Sequence, residues 1–303
     1  MQITADQVAK LRERTGAGMM DCKKALTENS GDFEKAIEYL RKKGIASASK
    51  KAGRTAKEGT VFSLMDTANK AAVLVEVNCE TDFVAKTENF TKFVTHIAEH
   101  IAKANPENPT AMLAQKYIND SSKTVEDFVK ENIAILGENI NVRRFARYPL
   151  TAGKESKSYI HMGGKVGVLV EATLPTAAKA TQEPFAGFLR DLAMHVAAAS
   201  PLYCHPSDVP ADVVAKEKEI ALAQLQGQNK PADVLEKIAT GKINKYYEET
   251  CLNKQKFIKD DKKTVEALAS DISKAIGETV TITRFTRFVL GEGVEVVAEE
   301  TQH

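Results

Sequence analysis

The sequence predicts an α+β protein: an N-terminal three-helix module, then a duplicated core of two antiparallel-sheet-plus-helix subdomains, with an antiparallel helical hairpin inserted into the second. Three observations lead there. Near the N-terminus, apolar residues recur at helical spacing between capping and breaking signals. Two blocks of sequence recur later in the chain without a gap. The second block is displaced further than the first, which leaves room for an inserted element.

The N-terminal module spans residues 1–44. Thr4-Ala5-Asp6-Gln7 reads as a capping box, with Ile3 and Val8 placed as a hydrophobic staple. A first helix runs to about Arg14, and Thr15-Gly16-Ala17-Gly18 ends it, because glycine accepts the backbone angles of a sharp turn. A second covers roughly Met20 to Glu28. Asp32 caps a third, with Phe33, Ala36, Ile37 and Leu40 on one face and Gly44 as its stop. So small a core suits presenting a surface better than performing chemistry. Residues 45–58 hold few large apolar side chains and read as a basic linker. Residues 1–57 carry 13 Lys/Arg against 7 Asp/Glu, an excess that fits either a solvated face or attraction to an acidic partner.

The core subdomains are read from the repeat. Lys70 to Pro106 aligns on Lys165 to Pro201 at an offset of 95, with 15 identities in 37 positions. Lys123 to Tyr148 aligns on Lys263 to Phe288 at an offset of 140, with 9 identities in 26. Each copy reads as a β-hairpin, two helices and a returning strand. The hairpins fall at about 59–78 and 157–173, turning at Thr67–Lys70 and Met162–Lys165. The principal helices are about 88–104 and 183–199, and the returning strands 139–148 and 279–290. This gives core subdomain N at 59–150 and core subdomain C at 151–201 with 263–293.

The offsets differ by 45, so the second copy holds an insertion of that length within 202–262. Val213, Val214, Ile220, Ala221 and Leu225 form one apolar stripe, and Val234, Leu235, Ile238, Ile243 and Tyr246 another. Gly227–Pro231 turns between them, and proline suits a helix's first turn. The result is a helical hairpin, a short coiled coil. Such an arm dimerises, touches a partner, or is decoration.

The repeat also serves as an internal control. Positions the fold needs should agree between copies, whereas a site mounted on one copy should not. Asn78–Lys86 (NCETDFVAK) has Thr173–Thr181 (TLPTAAKAT) as its counterpart. Thr81 is kept as Thr176, in keeping with a cap or turn. Asp82 and Phe83 become Ala177 and Ala178, so the architecture does not require them. Phe83 either fills a core gap peculiar to the first copy or is displayed, beside a carboxylate, where a loop meets a helix and binding residues commonly sit.

Composition and motifs exclude other classes. The 42 basic residues nearly cancel 41 acidic ones, so no global field favours nucleic acid. Cys22, Cys79, Cys204 and Cys251 form no CxxC pair and fit a reducing compartment. No apolar run approaches a membrane span, and the first helix starts almost at once, leaving no room for a targeting segment. A cytoplasmic protein without membrane contact is expected. His96-Ile97-Ala98-Glu99-His100 spells an inverted zinc-peptidase motif, but His96 and Glu99 become Asp191 and Met194 in the second copy, so no metal is expected. Gly163-Gly164-Lys165 fails as a phosphate loop, because Tyr159 stands where its first glycine belongs and Val166 where a hydroxyl belongs. No catalytic residue and no cofactor is expected.

Three stretches resemble elongation factor Ts: Leu11–Leu26 (LRERTGAGMMDCKKAL), Asn78–Lys86, and His161–Val170 (HMGGKVGVLV). Their order, the duplicated core and the inserted hairpin match that family, and the resemblance covers nearly the whole chain. It implies a non-enzymatic guanine-nucleotide exchange factor for the GTPase elongation factor Tu, with a ubiquitin-associated-like N-terminal module. It further implies that Arg12, Met19 and Met20 touch the GTPase's nucleotide domain, with core packing as the alternative for the methionines. Thr81, Asp82, Phe83 and Val84 would form the exchange loop, with Asp82 and Phe83 the working pair near the GTPase's magnesium and phosphate loop. Tyr159 and His161 match positions near another domain of the GTPase, with ordinary surface placement the alternative for His161. A dimer or a 2:2 complex with the GTPase fits the arm. Residues 294–303 form a short tail, so the contact made by a longer C-terminal helix in some members is not expected. A ubiquitin-associated-like adaptor is the other class the N-terminal module permits, but it leaves Asp82-Phe83 and the duplication unexplained.

Overall fold

The computed structural model describes residues 3–174, 176, 179–225 and 231–294 of the chain. It is an α+β structure built on antiparallel sheets. Its contacts divide it into two units: Met1–Arg147, Met162–Lys165 and Phe288–His303 in the first, Tyr148–His161 and Val166–Arg287 in the second. No described helix is long and apolar enough to cross a membrane.

The first unit begins with α1 (Ala5–Thr15), α2 (Met19–Glu28) and α3 (Phe33–Lys51). Thr4 and Gln7 form the capping box, and Gly16 closes α1 at a φ of 67°. Val8, Leu11, Cys22, Ala25, Leu26 and Ala36 make the small core. The expectation that Gly44 stops the third helix is corrected: α3 runs through it to Lys51, so half of the expected linker at 45–58 is helical. The reason is packing. A Cβ at Gly44 would lie 3.1 Å from Cβ of Ala134, so glycine here permits close helix approach rather than ending a helix.

A sheet in the order β1-β2-β5 follows, from β1 (Glu58–Asp66), β2 (Ala71–Cys79) and β5 (Asn141–Pro149). β1 and β2 pair antiparallel with Glu58 opposite Cys79. All nine residues of β2 are buried, as a central strand covered on both faces requires. Between β2 and β5 come α4 (Asp82–Ala85), α5 (Glu88–Ala104), α6 (Pro109–Ala114), β3 (Lys116–Tyr117), β4 (Asp120–Thr124) and α7 (Val125–Leu136). Phe90, Phe93, Val94, Ile97 and Ile101 of α5 fill the core against β2. Each large apolar side chain so buried contributes about 1.5–3 kcal/mol.

The second unit holds β6 (Lys154–His161), β7 (Val166–Thr173), α8 (Phe185–Ala199), α9 (Ala211–Ala223), α10 (Ala232–Thr250), β8 (Lys256–Phe257), β9 (Asp260–Thr264), α11 (Val265–Ile276) and β10 (Thr281–Val289). Its sheet runs β10-β7-β6. The β3–β4 pair, at 116–117 and 120–124, recurs as β8–β9 at 256–257 and 260–264, so residues 256–262 go with the copy rather than with the inserted hairpin as expected. Two-residue strands carry no alternation to read, which is why the sequence hides them. In the hairpin, Lys218 pairs with Glu236 at 2.5 Å, and Ala221, Leu225 and Ala239 are buried. Ile220, expected in the apolar stripe, is exposed. The expected turn at Gly227–Lys230 lies outside the described residues, as do Ala177, Ala178 and the tail beyond Val294.

Shared positions of the repeat have buried structural work. Glu76 takes Arg143 Nη1 at 3.0 Å and Arg144 Nε at 2.6 Å, and Glu171 takes Arg284 Nη2 at 2.8 Å. His100 Nε2 meets Gln115 Oε1 at 2.9 Å, and His195 Nε2 meets Gln255 Oε1 at 3.0 Å. His100 of the apparent zinc motif thus turns inward onto an amide.

Candidate protein-interaction site

β2 ends at Cys79, and the chain must turn before α5 can cross the sheet. It does so through α4, a single turn. Four residues cannot sustain a helix alone, because nucleation fixes several dihedrals for one hydrogen bond. Support comes from outside. Thr81 is the N-cap, its Oγ1 accepting from the N–H of Val84 at 3.3 Å. Val84 and Ala85 pack against the hydrophobic core below. Val84, expected among the displayed residues, is therefore half-buried, and anchors the turn.

What this turn displays is Phe83. The ring is 83% exposed, the most exposed large apolar side chain among the described residues. It fills no core gap. Asp82 beside it is exposed, its Oδ2 accepting from Lys86 Nζ at 2.6 Å. That hydrogen bond and the ammonium charge hold the Asp82 carboxyl below the usual carboxylate range, with Lys165 adding to the effect. A bulky apolar wedge next to an ionised carboxylate is a recognition element.

A residue the sequence did not single out holds the turn. Glu138 Oε2 accepts from the N–H groups of Glu80 and Thr81, both at 3.0 Å, and its Oε1 accepts from Thr81 Oγ1 at 2.5 Å. In return, Glu80 Oε1 accepts from the N–H of Asn139 at 2.6 Å. The signal that points to Glu138 is the matching pair Gly277-Glu278 in the repeat. Under the turn, burial pushes the Cys79 thiol up to about 12, so it stays an uncharged packing group.

The other expected contact residues occupy two further places. Arg12, on α1, and Met19 and Met20, opening α2, are all exposed, Met20 at 75%. Core packing therefore does not explain the methionines. Tyr159 and His161 stand two apart on β6, with Tyr159 Oη 3.0 Å from His161 Nδ1 and the rings stacked. They belong to the second unit, and the other contact residues to the first.

One cluster offers metal-ligand atoms. Cys204, His205 and Asp208 bring theirs within 4.8 Å of one another. Both ring nitrogens of His205 are engaged, Nε2 donating to the Ile282 carbonyl at 2.9 Å and Nδ1 facing the Asn253 amide at 2.5 Å. Burial also pushes the Cys204 thiol up to about 12. Cys204 and His205 both tie their loop to the Ile282 carbonyl of β10, and Asp208 accepts from the N–H of His205 at 2.8 Å within the loop.

Residues 80–292 match the family described as Elongation factor TS. The chain is 50% identical to the elongation factor Ts of Trichlorobacter lovleyi over 295 residues, covering 97% of this chain and 94% of that one. It is 47% identical to the elongation factor Ts of a Nitratiruptor species, covering 99% and 97%. A third relative, the elongation factor Ts of Symbiobacterium thermophilum, is 45% identical, with 97% and 94% covered.

Proposed function

The chain belongs to the elongation factor Ts family, and from that premise we propose that it is a guanine-nucleotide exchange factor acting on elongation factor Tu during translation elongation. It makes and breaks no bond. It is a cytoplasmic protein that needs no cofactor and touches neither nucleic acid nor membrane. The observation that carries the reading is Phe83, held out on an anchored helical turn beside Asp82.

The mechanism is linkage. A factor that binds the nucleotide-free GTPase more tightly than the GDP form weakens GDP binding by the same ratio. Phe83 inserts near the GTPase's magnesium and phosphate loop and gains apolar burial there. Asp82 brings negative charge toward the phosphates. Arg12, Met19 and Met20 hold the nucleotide domain, and Tyr159 with His161 meets another domain. In this reading α1–α3 form a ubiquitin-associated-like module on a duplicated core of subdomains N and C. The α9–α10 arm then serves a dimer or a 2:2 complex.

Release of fluorescent GDP from elongation factor Tu, with and without this protein, is the test. Acceleration that saturates with the factor is expected. A release rate that the protein leaves unchanged would overturn the proposal.

A further inference from the structure

Building on the exchange reading, we propose that Glu138 is a positioning residue for nucleotide release, acting through Thr81 on Phe83. The one-turn α4 has no helical length of its own to fix its direction. Its cap is a hydroxyl, one donor and two lone pairs on a free rotor. Glu138 Oε1 takes that donor at 2.5 Å, which leaves a Thr81 lone pair aimed at the N–H of Val84. Glu138 Oε2 meanwhile takes the two N–H groups just before the helix. The carboxylate thus sets both the start of the turn and the orientation of its cap. It is itself fixed, because it follows the left-handed Gly137 that closes α7, and its neighbour Asn139 is bound back to Glu80.

The second copy separates this role from plain structure. Glu278 follows the left-handed Gly277 and accepts from the N–H of Thr176 at 2.9 Å, with Lys179 Nζ at 2.7 Å. The carboxylate-to-threonine N–H contact is therefore part of the shared scaffold, whereas the second backbone N–H is peculiar to the first copy, since Pro175 has none to donate. After Thr176 the sequence has Ala177-Ala178, whereas after Thr81 it has Asp82-Phe83. Loosening either clamp disturbs a loop, but only the first aims a wedge.

In a complex already held by other surfaces, the release step runs only in the fraction of molecules whose turn is formed. Loss of a helix cap lowers the formed-to-unformed ratio roughly five- to tenfold, and for a turn as marginal as a single isolated helical turn the formed fraction falls by up to that ratio. Glu138→Ala should therefore reduce the maximal release rate at saturating factor by up to that ratio, with little change in the half-saturating concentration. Thr81→Val, at an exposed position, should do the same without threatening the fold. In a Phe83→Ala background, Glu138→Ala should have a much smaller further effect, since the wedge is gone and only Asp82 remains to be aimed. Glu278→Ala should lower the melting temperature and leave release unchanged.

The measurement is stopped-flow release of fluorescent GDP from elongation factor Tu by the full-length variants, with thermal melts alongside. An undiminished maximal rate for both Glu138→Ala and Thr81→Val overturns the proposal. So does a Glu138→Ala effect that persists undiminished in the Phe83→Ala background, or a Glu278→Ala variant equally slow. If the parent protein does not accelerate release, the exchange reading itself fails; if Phe83→Ala alone matches the parent, the wedge has no role in release, and this inference falls while exchange stands.

Discussion

Phe83→Ala is a perturbation whose two consequences should come apart. The ring is 83% exposed in the free chain, so truncating it removes little native packing. Surface changes of this kind stay within about 0.5 kcal/mol of neutral. Fully burying a phenylalanine is worth about 1.5–3 kcal/mol, and roughly four-fifths of that is still to be gained when the ring enters a partner. The wedge therefore supplies about 2 kcal/mol, which corresponds to roughly 30-fold in an equilibrium or a rate. Fluorescent-GDP release at saturating factor should slow by about that ratio, while the urea midpoint stays where it was. A release rate within twofold of the parent would refute the reasoning about insertion. A loss of more than about 1 kcal/mol of stability would refute it differently, by showing that Phe83 packs natively.

Two further predictions concern the scaffold. Glu76→Ala leaves Arg143 and Arg144 facing an emptied, fully buried position, and also strips the N–H of Gly291 of its acceptor. Breaking a buried pair costs about 3–5 kcal/mol; the partly exposed guanidinium groups rehydrate in part, so about 3 kcal/mol is expected in urea unfolding. His100 and His195 both have imidazole pKa values lowered by burial. The unfolded chain takes up these protons first as pH falls, so their contribution is complete above the ordinary imidazole value of about 6.5 and declines below it. A His100→Gln, His195→Gln double variant should show a shallower loss of urea midpoint between about pH 7 and pH 5, and a parent-like slope would contradict this.

Much of this fold is legible in the sequence because burial there is periodic. The apolar positions of α5 recur at three and four, and they are the ones that fill the core. The capping boxes and left-handed glycines are legible for a similar reason, since each is a local rule with few exceptions. Gly44 shows where local rules end. A glycine after an amphipathic run signals a stop, yet its use here depends on Ala134, ninety residues away. The strands β3 and β8 are too short to carry a pattern, and α4 too short to carry a helical period. At the candidate site, the repeat separates Thr81 from Asp82 and Phe83 by residue type alone. Which way Val84 points, and that Glu138 holds the turn, are long-range facts. The sequence contains Glu138 only as an identity between copies, with no hint that its partner is Thr81.

The same comparison explains how a recognition element this exposed is compatible with a stable protein. The terms that hold each copy together are duplicated: Glu76 and Glu171 on their arginines, His100 and His195 on their glutamines, Glu138 and Glu278 on the loops after the hairpins. None of them involves the side chain of Asp82 or Phe83. An 83%-exposed ring contributes almost nothing to the free fold, so nearly all of its apolar burial remains available to a partner. Had Phe83 been folded into the core, the same energy would already be committed, and insertion would have to undo native packing first. Placing the wedge on a turn that borrows its rigidity from Thr81, Val84 and Glu138 keeps it both exposed and directed. Rigidity matters because ordering a floppy loop at the moment of binding would offset much of the ~2 kcal/mol that the ring can supply.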